Sequence, residues 1–216
     1  KPENLTIKVD CDEVIDEENL SGEISQTWKL RWKEIAAPYI DWELLHEKRF
    51  GAVRSHTELK GSVSIGEVNF KLNARADRID ITDAGDVYLL DYKTGNNPSA
   101  SQARTLSPQL ALEGFIASHG QFEGISETHV LDLVYMRLRR GNEFKNETIS
   151  KKDIPVDTII TNAADELLKL VKGYQFQEQG YLSRRVPFKE GDISGDYDHL
   201  ARTREWSFGE EEDGDV

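Results

Sequence analysis

The stretch Ala74-Arg75-Ala76-Asp77-Arg78-Ile79-Asp80 passes through Thr82-Asp83-Ala84-Gly85 into Leu89-Leu90-Asp91-Tyr92-Lys93-Thr94-Gly95. The central tetrapeptide has turn chemistry, so its flanks predict a β-hairpin. Extended segments are expected at 56–65, 68–81 and 86–92. In the second, Val68, Phe70, Leu72, Ala74 and Ala76 alternate with Asn69, Lys71, Asn73, Arg75 and Asp77. That is the pattern of a sheet with one buried face, and it places Asp77 off the apolar face. Asp91 and Lys93 are two residues apart on one strand, so both side chains project from the same face. The hairpin is expected to bring Asp77 within a few ångströms of Asp91.

Upstream, Trp28, Trp32, Ile35, Ala36, Tyr39, Trp42 and Leu45 recur at helical spacing, with Pro38 expected to break or kink the segment. This predicts two helices or one bent helix over 24–50. Its aromatics share a face and are expected to be core rather than a base-stacking platform. Downstream, a polar loop at 96–99 precedes a helix over 108–118 that stops at Gly120. Residues 130–139 read as a strand, and 143–149 as its partner across Gly141-Asn142. Ile159, Ile160, Ala163, Leu167, Leu168 and Val171 give an amphipathic helix over 156–171, ended by Gly173. Helix, three strands, helix, one or two strands, helix is the order of an α/β sandwich, a mixed sheet flanked by helices.

The 216-residue chain can bury one sizeable core. The division expected is an acidic flank or linker over 1–27, a folded domain over 28–208 and an acidic tail over 209–216. Because the first residue is Lys1 and the sole methionine is Met136, the chain is expected to be part of a longer polypeptide. No apolar run approaches the ~20 residues that span a bilayer. Cys11 is the only cysteine, which excludes internal disulfides and any iron–sulfur or zinc site built from several thiolates. A reducing, cytoplasmic compartment is expected. The net charge of −13 argues against a free-standing DNA-binding module, since such modules neutralise phosphates with Lys and Arg. Any cationic track is expected to be local, at Arg137, Arg139 and Arg140 or at Arg184 and Arg185.

Two carboxylates converging at a sheet end suit a hard divalent cation, which a backbone carbonyl and waters would complete. Phosphodiester hydrolysis needs charge stabilisation on phosphate oxygens and a nucleophilic water. The Lys93 ammonium is placed to assist either. An exposed Asp–Lys pair and a charged strand end are the duller alternatives. Their order and spacing, followed by a helix opening at Gln109, favour a site. Glycine-rich phosphate loops are absent, which removes support for a P-loop or dinucleotide-binding protein.

These motifs, with 108–113 and the near-terminal Asp196-Tyr197-Asp198-His199-Leu200-Ala201-Arg202, resemble the nuclease domain of the RecB and AddB family, most closely the C-terminal part of proteobacterial AddB proteins. The similarity runs through most of the chain from Trp28 onward. It implies a restriction-endonuclease-like PD-(D/E)XK fold and Mg²⁺ dependence, with Mn²⁺ able to substitute. It also implies action on a single DNA strand delivered by a helicase, with an AddA-type helicase–nuclease partner, in double-strand break repair. On this resemblance Asp77 and Asp91 are metal ligands, Tyr92 donates a main-chain carbonyl, Lys93 is the catalytic lysine and Gln109 is the glutamine of the following helix. Where the family often has a tyrosine one turn later, this chain has Glu113. The iron–sulfur cluster of some AddB relatives is excluded here by the cysteine count. The family's additional metal-binding histidine is expected either at His46 or upstream of Lys1, and His46 is otherwise a surface or packing residue. Glu58, on the preceding strand, is a second-rank candidate with a structural role expected.

Overall fold

The structure, a computed structural model, describes residues 15, 17, 18, 21–50, 54–95, 97–139, 144–176 and 180. Most of the acidic flank and tail, the Gly141-Asn142 turn, Arg140, Arg184, Arg185 and the motif from Asp196 to Arg202 lie outside the described residues. The chain divides into two units, Lys1–Asp165 and Glu166–Val216.

In the first unit, helix α1 (Gly22–Phe50) runs on with Pro38 inside it. Five strands follow the chain order in space: β1 (Arg54–Ser64), β2 (Lys71–Ile81), β3 (Val87–Lys93), β4 (Val130–Arg137) and β5 (Lys145–Thr148). The β1–β2, β2–β3 and β4–β5 pairs are antiparallel, and β3–β4 is parallel. A parallel pair requires a crossover. Helices α2 (Ala100–Thr105) and α3 (Gln109–Ser118) lie in that connection, and α4 (Val156–Tyr174) begins after β5. The expected mixed sheet with flanking helices, an α/β restriction-endonuclease-like architecture, is what the chain forms.

Each sheet face has its own core. On one, Ile79, Leu89 and Leu133 pack with Leu110, Ile116 and Ala117 of α3 and with Ile159 and Ile160 of α4. On the other, Tyr88, Leu90 and Met136 meet Tyr39, Trp42 and Phe50 of α1. Gly114 lets α3 settle close to the sheet: a Cβ there would lie 2.9 Å from Cδ1 of Ile160 and 3.1 Å from Cδ2 of Leu133. Only part of α1 is used in this way. Trp28 is 49% exposed, so the expectation that all its aromatics are core fails at the N-terminal half, which lies before the stretch that covers the sheet.

Several local expectations need correction. Strand β2 starts at Lys71, not at Val68, because Gly66 takes a positive φ of 58° and the chain turns before Phe70. The alternation of β2 also slips. Leu72, Ala74 and Ala76 pack into the same core as Ile79 and Ile81, so Asp77 sits where the apolar phase changes and is not simply off an apolar face. Opposite it, Glu58 has φ 57°, and the ladder passes from Thr57↔Arg78 to Leu59↔Ala76 without a pair at Glu58 and Asp77. Helix α2 replaces what reads as loop. Its signal was present: Ser99 accepts from the backbone of Gln102, whose side chain accepts from the backbone of Ser99, a reciprocal capping box.

The second unit is described over residues 166–176 and 180, where the end of α4 carries an exposed Lys169–Glu166 pair at 2.7 Å. No helix among the described residues is long and apolar enough to cross a membrane.

Candidate active site

Two-residue alternation sorts the charged side chains of β2 and β3 onto opposite faces. Toward α3 stand Asp91 and Lys93. The Lys93 ammonium lies 2.7 Å from Oδ2 of Asp91, off the line of a hydrogen bond, and 5.6 Å from the centre of the Tyr135 ring. Asp77 closes the strand side by accepting a 2.9 Å hydrogen bond at Oδ2 from the backbone N–H of Tyr92. It is one step beyond the Arg78↔Leu90 pair, which sets it across from Asp91.

Helix α3 brings the other wall. Gln109 is its first residue, and Glu113 follows one turn later on the same side. The Gln109 carboxamide N–H₂ donates to Oδ1 of Asp91 and to Oε1 of Glu113, each at 3.1 Å. The second oxygens, Oδ2 of Asp91 and Oε2 of Glu113, are both buried; among the described residues Oδ2 is met by the Lys93 ammonium and Oε2 has no hydrogen-bond partner. Burial is the main reason the Asp91 carboxyl is pushed above its usual range; the charge of Asp77 adds to it, while Lys93 and Gln109 oppose it. Burial likewise pushes Glu113 up to about 7, helped by Asp91 and Asp77 and resisted by Gln109 and Lys93. The cluster thus holds three carboxylates against one ammonium, and repulsion is relieved in part by protonation.

That excess is the test of fit for a divalent cation, and the residues pass it. Among the described residues no three His, Cys, Asp or Glu side chains form a cage for a metal. A cation here would rest on Asp77, Asp91 and the carbonyl of Tyr92, with waters completing the shell, a sparse set of the kind magnesium accepts. Glu58 stands apart: its carboxylate pairs at 2.9 Å with Arg75 in solvent.

His46 is on the other face. Its Nε2–H donates to Oδ2 of Asp80 at 3.1 Å, and its ring stacks on Trp42 at 4.7 Å. Arg78 completes that cluster, donating from Nε to Oδ1 of Asp80 at 2.6 Å, from Nη2 to Oδ2 of Asp80 at 2.9 Å and to Oε2 of Glu43 at 3.0 Å, and from Nη1 to Tyr39 Oη at 2.9 Å. Nη1 also donates to Glu43 Oε1. Tyr92 joins through its hydroxyl, 3.2 Å from the same Nη1, so its backbone serves one face and its side chain the other. The polar network of Glu43, Tyr39, Arg78 and Asp80 was not anticipated. Its signal is the charge at Arg78 and Asp80, alternate to Asp77 on a buried strand, which demands partners on the second face.

A profile of the PD-(D/E)XK nuclease superfamily matches residues 4–185. An uncharacterized protein of Rickettsia bellii (strain RML369-C) is 28% identical over 128 residues, 58% of this chain and 15% of that protein. An uncharacterized protein of Rickettsia typhi (strain ATCC VR-144 / Wilmington) is 32% identical over 89 residues, 40% of this chain and 10% of that protein. The matched stretch is therefore a small part of each of these curated relatives. Among solved structures, "Crystal structure of SSO0001" is similar with a TM-score of 0.32 and 17% identity over 73% of this chain and 66% of that one, too distant to bear on fold or chemistry.

Proposed function

We propose, from the premise that this chain belongs to the PD-(D/E)XK nuclease superfamily, that it hydrolyses DNA phosphodiester bonds with Mg²⁺, or Mn²⁺ in its place. We place it as the nuclease domain of a RecB/AddB-type helicase–nuclease in double-strand break repair. The observation that carries this reading is the meeting of Asp91, Lys93 and Gln109, with Asp77 beside them and the buried carboxyl of Glu113 one helical turn away.

Asp77, Asp91 and the Tyr92 carbonyl would hold the cation, which when bound supplies charge neutralisation on the scissile phosphate. Lys93 sits against Asp91 and is partly exposed, so its ammonium can orient a water for attack on phosphorus and offset charge growing on the phosphoryl oxygens. Gln109 fixes the rotamer of Asp91 by donating to Oδ1. The leaving 3′ or 5′ oxygen takes its proton from solvent or from Lys93. In this reading the strand is single, delivered by a helicase with an AddA-type partner in the cytoplasm.

The test is digestion of labelled single-stranded DNA with Mg²⁺, Mn²⁺ or a chelator, using this chain and a longer polypeptide that contains it. Cleavage that needs the divalent ion and disappears in Lys93→Ala supports the proposal. No cleavage by either form sinks it. The second reading, a nuclease-like module that guides DNA, is favoured by the placement of His46, the candidate additional ligand, on the opposite face against Asp80. It predicts strand binding without cation binding or cleavage.

A further inference from the structure

A groove of about 320 Å³ opens at the end of β3, lined by Trp28, Arg31, Trp32, Thr94, Leu138 and Arg139 among others. It lies on the α1 side of the sheet, across the end of β3 from the Asp91–Lys93 cluster. Thr94 follows Lys93 directly, and the N–H of Leu138 donates to the carbonyl of Lys93 at 2.8 Å. The other wall is α1, where Trp28 and Trp32 stand four residues apart and so share a helix face. Trp28 is 49% exposed, and the indole N–H of Trp32 is buried with no acceptor among the described residues. Among the described residues, the charged side chains that line the groove are Arg31 and Arg139, in a chain whose net charge is −13.

We infer that this groove is a base-stacking subsite that holds single-stranded nucleic acid on its way to or from the Asp91–Lys93 cluster. The inference rests on the nuclease reading for the identity of the ligand. Indole faces exposed beside cationic side chains match what an unpaired strand offers, namely open π-faces on a polyanionic backbone. A duplex hides those faces, so the chemistry selects a single strand. Arg31 also bears on the charge difficulty, since an acidic protein can still attract a phosphodiester chain to a local cation at the groove.

The experiment titrates the chain with a fluorescent oligothymidylate in low salt with chelator, following anisotropy, so that cleavage plays no part. Trp28→Ala is expected to weaken binding about ten-fold, within the range found for losing one base–aromatic stack. Trp28→Phe should recover most of the loss, and an abasic oligomer should bind the wild type more weakly than the thymidylate. Arg31→Ala should weaken binding and flatten its salt dependence. Thermal unfolding checks that each variant folds, which the exposure of Trp28 favours. Absence of binding by the wild type, equal affinity in Trp28→Ala, or equal affinity for the abasic oligomer overturns the groove as a stacking subsite. The two readings fail separately. Divalent-dependent cleavage by the wild type with Trp28-independent binding removes the groove alone. Trp28-dependent binding without cleavage by this chain or the longer polypeptide removes the nuclease reading and leaves the groove.

Discussion

Asp80 and Asp91 are both buried, at 0% and 2% exposure, on adjacent strands of one sheet, yet their carboxyl groups move in opposite directions. For Asp80, burial alone would raise the value; hydrogen bonds from His46 and Arg78, and the charge of Arg78, overcome it and hold the carboxyl below its usual range. For Asp91, burial wins, with Asp77 adding to it and Lys93 unable to cancel both. The difference lies in the partners each face supplies. Toward α1, a guanidinium sits between Asp80 and Glu43, with Tyr39 and His46 filling remaining directions. Toward α3, Asp77, Asp91 and Glu113 share one partly exposed ammonium. A buried charge that is fully met fastens a helix to a sheet. One left short of positive charge is a place for a cation to enter.

The largest effect should come from the satisfied face. Arg78→Ala leaves Asp80 and Glu43 buried without their cation, and removal of one member of a buried ionic network costs about 3–5 kcal/mol. Urea unfolding should show that loss, with α1 the first element to lose protection in hydrogen exchange. A change under 1 kcal/mol would mean that the clamp is dispensable and that the contrast between the faces is wrong.

The opposite signature is expected at Lys93. On the proposed role of Lys93, acting on water or on developing charge, Lys93→Ala should lower cleavage by roughly two to three orders of magnitude. The unfolding midpoint should fall less than in Arg78→Ala, because Lys93 is partly exposed and Asp91 left without it can take up a proton, and calorimetry should still show cation binding. Asp91→Ala should lose cleavage and cation binding together, because on the proposed assignment it removes a ligand. Retained cleavage in the Lys93 variant, or unchanged cation affinity in the Asp91 variant, would break the assignment of roles.

Glu113 turns the contrast into a pH dependence. Its carboxyl stands at about 7 in the fold against an ordinary 4.5, so the fold favours its protonated form. No penalty exists below pH 4.5; it grows between pH 4.5 and 7 and reaches roughly 3 kcal/mol above that window. Stability of the wild type in chelator should therefore decline as pH rises through this range. Glu113→Gln cannot ionise, so it should be the more stable protein at pH 8 and nearly equal at pH 4.5. Parallel unfolding curves for the two proteins at both pH values would show that Glu113 is not strained by its neighbours.

Much of this arrangement was readable in advance. The hairpin at Thr82 to Gly85 and the same-face placement of Asp91 and Lys93 follow from turn chemistry and strand periodicity, and the strands fall within a few residues of their expected bounds. Gln109 was picked out by resemblance, and its contact with Asp91 is a tertiary fact that no spacing along the chain could give. Periodicity failed at two kinds of place. It treats a strand as regular, so it missed the slip at Asp77, and it treats an apolar helix face as buried, so it missed the exposure of Trp28. A helical histidine does not reveal which side of a sheet its helix will cover, so the sequence alone does not choose between ligand and packing residue for His46; in the fold it meets Asp80.

The slip at Asp77 supplies the smallest and most discriminating test. Glu58 lies opposite it with φ 57°, a left-handed conformation that costs a side-chain-bearing residue on the order of 1 kcal/mol and costs glycine almost nothing. Its carboxylate is 60% exposed and meets only Arg75, so the charge itself contributes little. Glu58→Gly and Glu58→Ala lose that pair equally, but only glycine relieves the backbone. The glycine variant should therefore be the more stable by about 1 kcal/mol, the reverse of the usual order in a strand. Thermal unfolding of the pair measures it. Their cleavage rates then say whether the irregularity belongs to the site: equal rates mean that β2 holds Asp77 unaided, while a loss confined to the glycine variant means that the strained turn of β1 keeps Asp77 facing Asp91.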